Sequence, residues 1–382
     1  MKIKEVRTHI IQAPLEQPFA FSQGWVYKRS SLIVEVICED GESGFGECMC
    51  HGMQPPQISA AFIENCYAPR MIGRSIYDVE VLWEELYNLA RPFGQYGAAI
   101  NALSGVDIAL WDAIGKQLGQ PVCNLIGGKF RDRVKAYATG FYRKHGGKYP
   151  EDAVTEAEMY IEKGFRGMKL KAGFGVEDDV KYISAVRDAI GWDVLLMCDF
   201  NSAYNQAAAR RLLLELEDKK LEFFEELLAP EDIEGYRSIR NLSGSYIAAG
   251  EEIFGKIAYK DWLSRGALDI YQPDLCSCGG FTECKKIAAL CQAYNAMLIP
   301  HVWGSGVGLA ASLQFIATLP PAPLCSRPVE TMLEYDQSSH PFRLDLIYDG
   351  IEFTDGYVTV PAAPGIGVEV NRAVLEKYRV NS

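Results

Sequence analysis

From Val134 onward the chain repeats one pattern: a short apolar run, an amphipathic helical stretch, then another apolar run. The runs are Val134–Thr139, Gly167–Lys171, Val194–Asn201, Leu221–Leu227, Tyr246–Glu251, Ala267–Asp274, Ala296–Val302 and one near Glu330–Glu334. Stretches with helical spacing separate them, among them 152–163, 178–190, 207–217 and 284–294. Short strands alternating with helices predict βα units and a parallel sheet. Eight such units in this length predict a closed barrel rather than an open sheet. An open doubly wound sheet usually shows a glycine-rich first turn, and Gly173-Phe174-Gly175 does not supply one.

The segment before the barrel differs. Ile3 to Ile11 alternates, Ser31 to Cys38 is a rich β run, and Asp40-Gly41 makes a hairpin turn before Gly44-Phe45-Gly46-Glu47. Helical patterns follow at 79–89 and 98–118, and Gly119 stops the second. The expectation is an α/β protein: a modified, TIM-like (β/α) barrel over 126–350 preceded by an α+β domain over 1–125. The last stretch, 351–382, has β character and is expected to return to the first domain.

In a barrel the C-terminal strand ends build the active site. Here they read Lys169-Leu170-Lys171, Asp199-Phe200-Asn201, Glu225-Glu226, Gly250-Glu251-Glu252, Pro273-Asp274, Pro300-His301 and Glu334-Tyr335-Asp336. Seven consecutive strands thus bring an ionisable group to one rim, one βα unit apart each time. Asp199, Glu225 and Glu251 end neighbouring strands, which lie about 4.8 Å apart. Three carboxylates that close repel unless a cation sits among them, and oxygen ligands select magnesium, with manganese as the alternative. One ion per subunit is expected. A single acid at a strand end would be read as solvated or as a helix cap.

Lys169 and Lys171 are two apart on a strand, so both point to one side. Two neighbouring ammonium groups are expected to depress at least one pKa toward the range of a general base. Asp274 and His301 end adjacent strands, where a carboxylate on one ring nitrogen raises basicity at the other. Glu334 is expected to contact substrate. Glu226 and Glu252 are expected to point away, because neighbours on a strand alternate. His51, in a loop of the first domain, is within possible reach of the site.

This constellation suits removal of the proton next to a carboxylate, with a base on one face, an acid on the other, and a divalent cation stabilising the enediolate. Protonation at the same carbon gives epimerisation; loss of a group from the next carbon gives β-elimination. A Schiff-base aldolase would use one lysine but leaves the three carboxylates unexplained. A noncatalytic binding barrel leaves the base, metal and acid residues unexplained.

Together, Lys169-Leu170-Lys171, Asp199-Phe200-Asn201, Phe224-Glu225-Glu226, Gly250-Glu251, Asp274, His301 and Glu334 resemble the mandelate racemase group of the enolase superfamily. The likeness covers nearly the whole chain and implies that the α+β unit is a capping domain. It implies Asp199, Glu225 and Glu251 as magnesium ligands, Lys171 as one acid/base, and His301 with Asp274 as the other. It also implies that Lys169 assists Lys171 and contacts the substrate carboxylate. The group usually has proline after the paired glutamates; here Leu227 follows and Pro230 comes later.

A narrower likeness is to the galactarolactone cycloisomerase type. It is carried by Ala136-Tyr137-Ala138-Thr139-Gly140, Gln272-Pro273-Asp274-Leu275-Cys276, Cys278-Gly279-Gly280-Phe281 and Pro300-His301-Val302-Trp303-Gly304. It implies a sugar-acid (aldarate) lactone cycloisomerase, with Asn201, Trp303 and Glu334 at the substrate. Acid-sugar dehydration, or racemisation or epimerisation of a 2-hydroxy or amino acid, remains the alternative. Specificity would lie in capping loops near 15–29 and 47–56, which carry Phe19, Phe21, Trp25, Tyr27 and Met53.

Composition narrows the partners. A net charge of −12 disfavours nucleic acid and anionic membrane, both of which need a basic face. The expected partner is a small-molecule carboxylate. Eleven cysteines in apolar contexts, without zinc-knuckle spacing, read as reduced thiols. With no signal-like or membrane-spanning run, the expected setting is cytoplasmic. A homo-oligomer, dimer to octamer, is implied by the family resemblance.

Overall fold

The computed structural model describes residues 1–322, 325–348 and 351–380. The N-terminal unit is a sheet backed by helices. Strands Ile3–Phe21 and Gly24–Cys38 form one long antiparallel hairpin, and Ser43–Cys48 pairs with the second of them. Helix Ala98–Leu118 lies across this sheet at unusually close range. Gly44 and Gly46 permit it: a Cβ on either would stand 2.1 Å from a carbonyl oxygen of that helix, Ala109 or Gly105.

From Arg133 the chain builds the barrel. Among the described residues eight parallel strands follow: Arg133–Thr139, Gly167–Lys171, Leu195–Asp199, Phe223–Glu225, Tyr246–Ala249, Ile270–Tyr271, Met297–Leu298 and Leu333–Asp336. A helix lies between each strand and the next. The eighth strand returns to pair in parallel with the first, Leu333 opposite Ala136 through Asp336 opposite Thr139. The Thr331 hydroxyl donates to the Leu298 carbonyl at 2.7 Å, tying the approach to the eighth strand to the seventh. Tyr137, Met197, Phe223, Ala248, Ile270, Ile299 and Met332 pack together inside the barrel and plug its lower half. Ionisable groups therefore have room only at the upper rim.

Several strands are shorter than the apolar runs suggested. The third ends at Asp199, the fourth at Glu225, the sixth at Tyr271 and the seventh at Leu298. The chain leaves extended geometry just past two of these ends, with φ of +44° at Asn201 and +47° at Glu226. The remaining apolar residues stay buried in the loops that follow, so hydrophobicity outruns the hydrogen-bonded ladder.

The two units are joined by buried polar contacts. Glu47, on the capping sheet, accepts from the Ser305 and Gly308 amides at 3.0 and 2.8 Å and from the Ser305 hydroxyl at 2.6 Å. It thereby caps helix Gly306–Ala317 of the barrel from outside. Asp112, in helix Ala98–Leu118, accepts from the Phe45 and Ile366 amides, each at 2.8 Å. Beyond Ile351 the chain touches both units. Strand Tyr357–Thr359 pairs antiparallel with the first barrel strand, while helix Arg372–Lys377 leads to Tyr378 and Val380, which bond the long hairpin at Gln12 and Ile10. The end of the barrel segment expected at 350 falls on 349–350, outside the described residues, as do 381–382.

Candidate active site

The strand register sets the site. Lys171 lies opposite Asp199, and Asp199 opposite Glu225, so three consecutive strands end side by side in charge. Glu251 follows two residues after the fifth strand. Between them Gly250 has φ +155°, and a Cβ there would stand 2.6 Å from the Gln272 amide nitrogen. Asp274 and His301 each come three residues past a strand end. Lys169, two residues before Lys171, points to the same side, and both are buried.

The contacts form one network. Lys171 Nζ donates to Asp199 and, at 3.3 Å, to Asn201 Oδ1. Lys169 Nζ lies 2.5 Å from Glu225 Oε1, 2.7 Å from Glu334 Oε1 and 3.9 Å from Asp199 Oδ2. Gln272, a residue not singled out from the sequence, donates to Glu225 Oε2 at 2.7 Å. His301 Nδ1 is 2.7 Å from Asp274 Oδ2, and its Nε2 is 2.6 Å from Glu251 Oε2. Glu334 also accepts from the Thr139 hydroxyl at 2.8 Å and the Val302 amide at 3.2 Å. It is held within the network rather than directed at the cavity.

Among the described residues, no three acidic, imidazole or thiol groups converge as a ready ligand set. The reason is visible: each expected ligand lies against a cation of the chain. Lys171 is on Asp199, Lys169 on Glu225 and His301 beside Glu251.

The electrostatics depart from the expectation for the lysine pair. Burial favours neutral amines, but Glu225 and Glu334 around Lys169, and Asp199 beside Lys171, override it and hold both pKa values above the ordinary lysine value. Mutual repulsion is the weaker effect because carboxylates stand between and around the two groups. His301 is likewise raised: burial opposes its charge, but Glu251, Glu334 and Asp274 favour it. Burial pushes Glu225 up to about 7, against the pull of Lys169. Glu251 is held low by His301 despite its burial.

Glu252 is exposed, whereas Glu226 is not. With φ of +47°, Glu226 lies outside the strand, so alternation no longer governs it, and it is 3% exposed. Burial, then the charges of Glu251 and Glu252, raise its pKa well above the carboxylate range.

The cavity above the rim is lined by Lys171, Asn201, Glu251, His301 and Trp303 from the barrel. Phe19, Phe21, Met49 and His51 close it from the capping domain. His51 therefore reaches the site. The first expected capping loop is instead the end of the long hairpin, pinned by Ser22 and Gln23 side chains to the Phe200 and Asn201 carbonyls at 2.8 and 2.6 Å. Trp25 stacks on His145 at 3.6 Å, and Tyr27 and Met53 are exposed, so the wall is less apolar than the loop composition implied.

A (β/α) barrel capped by an α+β domain, with paired lysines facing a His–Asp couple across three acids, defines an acid–base enzyme of the enolase type. The chain matches the model of the mandelate racemase / muconate lactonizing enzyme N-terminal domain over residues 3–127, and that of the enolase C-terminal domain-like family over 152–374. It belongs to this family of the enolase superfamily, whose members use magnesium. It is 40% identical to a D-galactarolactone cycloisomerase of Agrobacterium fabrum, spanning 100% of this chain and 99% of the relative. It is 33% identical to a D-gluconate dehydratase of Thermoproteus tenax, over 91% of this chain and 70% of the relative. The crystal structure of a 3,6-anhydro-D-galactonate cycloisomerase from Zobellia galactanivorans matches with a TM-score of 0.90 at 34% identity, covering all of both chains.

Proposed function

We propose that this chain opens the lactone ring of an aldarate-type sugar acid by removing the proton next to its carboxylate, followed by β-elimination. The observation that carries this reading is the cavity itself, where Lys171 and the Asp274-held His301 meet on the same small volume. The likeness to two cycloisomerases supports the lactone as substrate.

Asp199, Glu225 and Glu251 suit a hard cation, their carboxylates being buried, all-oxygen and at or just past the ends of adjacent strands. Glu251 Oε2 is buried and, though near His301, makes no aligned hydrogen bond among the described residues. Magnesium held by these three, one ion per subunit, would supply the positive charge that stabilises the enediolate. Lys171, relieved of pairing with Asp199, would then lose its proton readily, because burial favours the neutral amine. It takes the α-proton. Lys169 stays charged among Glu225 and Glu334 and steadies the substrate carboxylate. His301, kept protonated and oriented by Asp274, returns a proton on the opposite face. Asn201 and Trp303 contact the substrate, and His51 closes the cap.

Dehydration of an open-chain sugar acid is the second reading. It is favoured by the raised His301 pKa, since a leaving hydroxyl needs a proton. Proton NMR in deuterium oxide with acid sugars and their lactones tests both. Ring opening to a 3-deoxy-2-keto acid is expected from a lactone; consumption of only open-chain acids would give the second reading. Absence of product and of α-deuteration with every carboxylate would sink the mechanism.

The eleven free cysteines, most of them buried, suit the cytoplasm. Assembly into a homo-oligomer rests on the family resemblance.

A further inference from the structure

Arg29 lies on the second strand of the capping sheet and is 2% exposed. Its guanidinium carbon sits 3.9 Å from the Trp303 ring centre and 5.8 Å from that of Phe19, and both rings line the reaction cavity. Nη2 donates to Asp336 Oδ2 at 2.7 Å, whereas Nη1 is buried and has no hydrogen-bond partner among the described residues. Arg343 Nη2 donates to the same Asp336 oxygen. The other acceptors of Arg343 are the Asp336 and Ser338 carbonyls and the Ser338 hydroxyl. Two guanidinium groups therefore share one carboxylate. Nearby His340 is kept neutral by burial and by the two arginines, and adds no negative charge. Trp303 Nε1, beneath the Arg29 stack, is also buried without a hydrogen-bond partner among the described residues. The Arg29–Asp336–Arg343 cluster thus carries one net positive charge behind the wall of the cavity. A buried cation in that state is costly unless an anion arrives beside it.

Lactone opening makes such an anion. When the α-proton leaves, its electron pair forms the double bond to the β-carbon and the bond from the β-carbon to the ring oxygen breaks. That oxygen departs as part of a carboxylate, the former lactone carbonyl. The enol then takes a proton at the β-carbon and gives up its O–H proton to become the ketone. A monoanion becomes a dianion, and one proton is released to solvent. A departing hydroxyl needs no such cation, because it leaves as neutral water.

We propose that Arg29, fixed by Asp336, is a positioning residue for the carboxylate born on ring opening, acting through the Trp303 ring and its N–H. This rests on the cycloisomerase reading.

The test compares α-proton exchange with ring opening of an aldarolactone in wild type and Arg29→Gln. Loss of the charge is expected to slow ring opening roughly 10²-fold, as for loss of one donor to a developing oxyanion. Exchange should be largely kept, so the ratio of exchange to opening rises; Arg29→Lys should recover part of the loss. An equal fall in both rates would overturn the proposal and leave Arg29 as a tie between domains. If Arg29→Gln does not fold, wild-type inhibition decides. The keto-diacid product should inhibit at least about tenfold more tightly than the matching keto acid with a hydroxymethyl end, and equal inhibition would overturn the proposal. Failure of the wild type to open any aldarolactone with proton release would instead defeat the underlying reading.

Discussion

Lys171 is buried, yet its neighbours keep it charged. Its reactivity therefore depends on what claims Asp199. Lys171→Ala should lower turnover about 10²–10⁴-fold and abolish α-deuteration on its face, and His301→Ala should cost a similar amount. Retention of full activity in the double variant, measured by product NMR, would remove both residues from the mechanism. Asp274→Asn gives a pH test. Asp274 and Glu251 raise the His301 pKa, so activity that needs the protonated ring persists to higher pH than an ordinary histidine allows. Removing the Asp274 charge lowers that pKa, so the alkaline limb of the kcat profile should move to lower pH. The charged residue types at the strand ends were legible one by one. Their states were not, because a lysine's pKa depends on which carboxylates surround it, and those come from other strands.

At the scale of elements, close packing of helix on sheet contributes to stability. Gly46 lets helix Ala98–Leu118 approach its strand; Gly46→Ala places a Cβ 2.1 Å from a backbone oxygen. Overpacking of this kind costs about 1–3 kcal/mol or more. A clear fall in midpoint on chemical unfolding is expected, and an unchanged midpoint would contradict the close packing. Glu35 is held at about 2: burial opposes its charge, but His9 at 2.9 Å and Arg372 at 2.6 Å favour it. A depressed carboxylate stabilises the fold above its unfolded pKa, and that contribution is lost as pH falls from about 4.5 toward 2. Arg372 is largely exposed, so solvent discounts its share, leaving on the order of 1–2 kcal/mol. Glu35→Gln should flatten the stability profile between pH 5 and 2, as read by thermal melts.

Helix positions at 79–89 and 98–118 were legible from apolar spacing, since local periodicity suffices there. Helix Gly255–Arg265 buries only Tyr259, Trp262 and Leu263, a stripe too short to single out, and Gly306–Ala317 is buried all round and so displays no amphipathic pattern. Strand length was also not legible. The rim residues leave the ladder through backbone turns at Asn201, Glu226 and Gly250, where packing rather than hydrophobicity ends the strand.

For the whole molecule, the decisive measurement is metal dependence. Chelation should abolish α-proton exchange, and magnesium should restore it. Added magnesium should raise the melting temperature with increasing concentration, as expected of a ligand that binds only the folded chain. Absence of any shift up to millimolar magnesium, together with activity in excess chelator, would refute the ligand assignment.

The sequence by itself determined the architecture, because apolar runs, helical stripes and turn residues are local signals that recur once per βα unit. It also determined which residue types reach the rim, because they sit at the ends of those runs. Only the tertiary structure decided how they pair. Asp199, Glu225 and Glu251 already lie against Lys171, Lys169 and His301, and the capping hairpin brings Phe19, Phe21 and Arg29 to the site from more than a hundred residues away. Charge pairing and cavity shape depend on distance in space, and no periodicity along the chain encodes it.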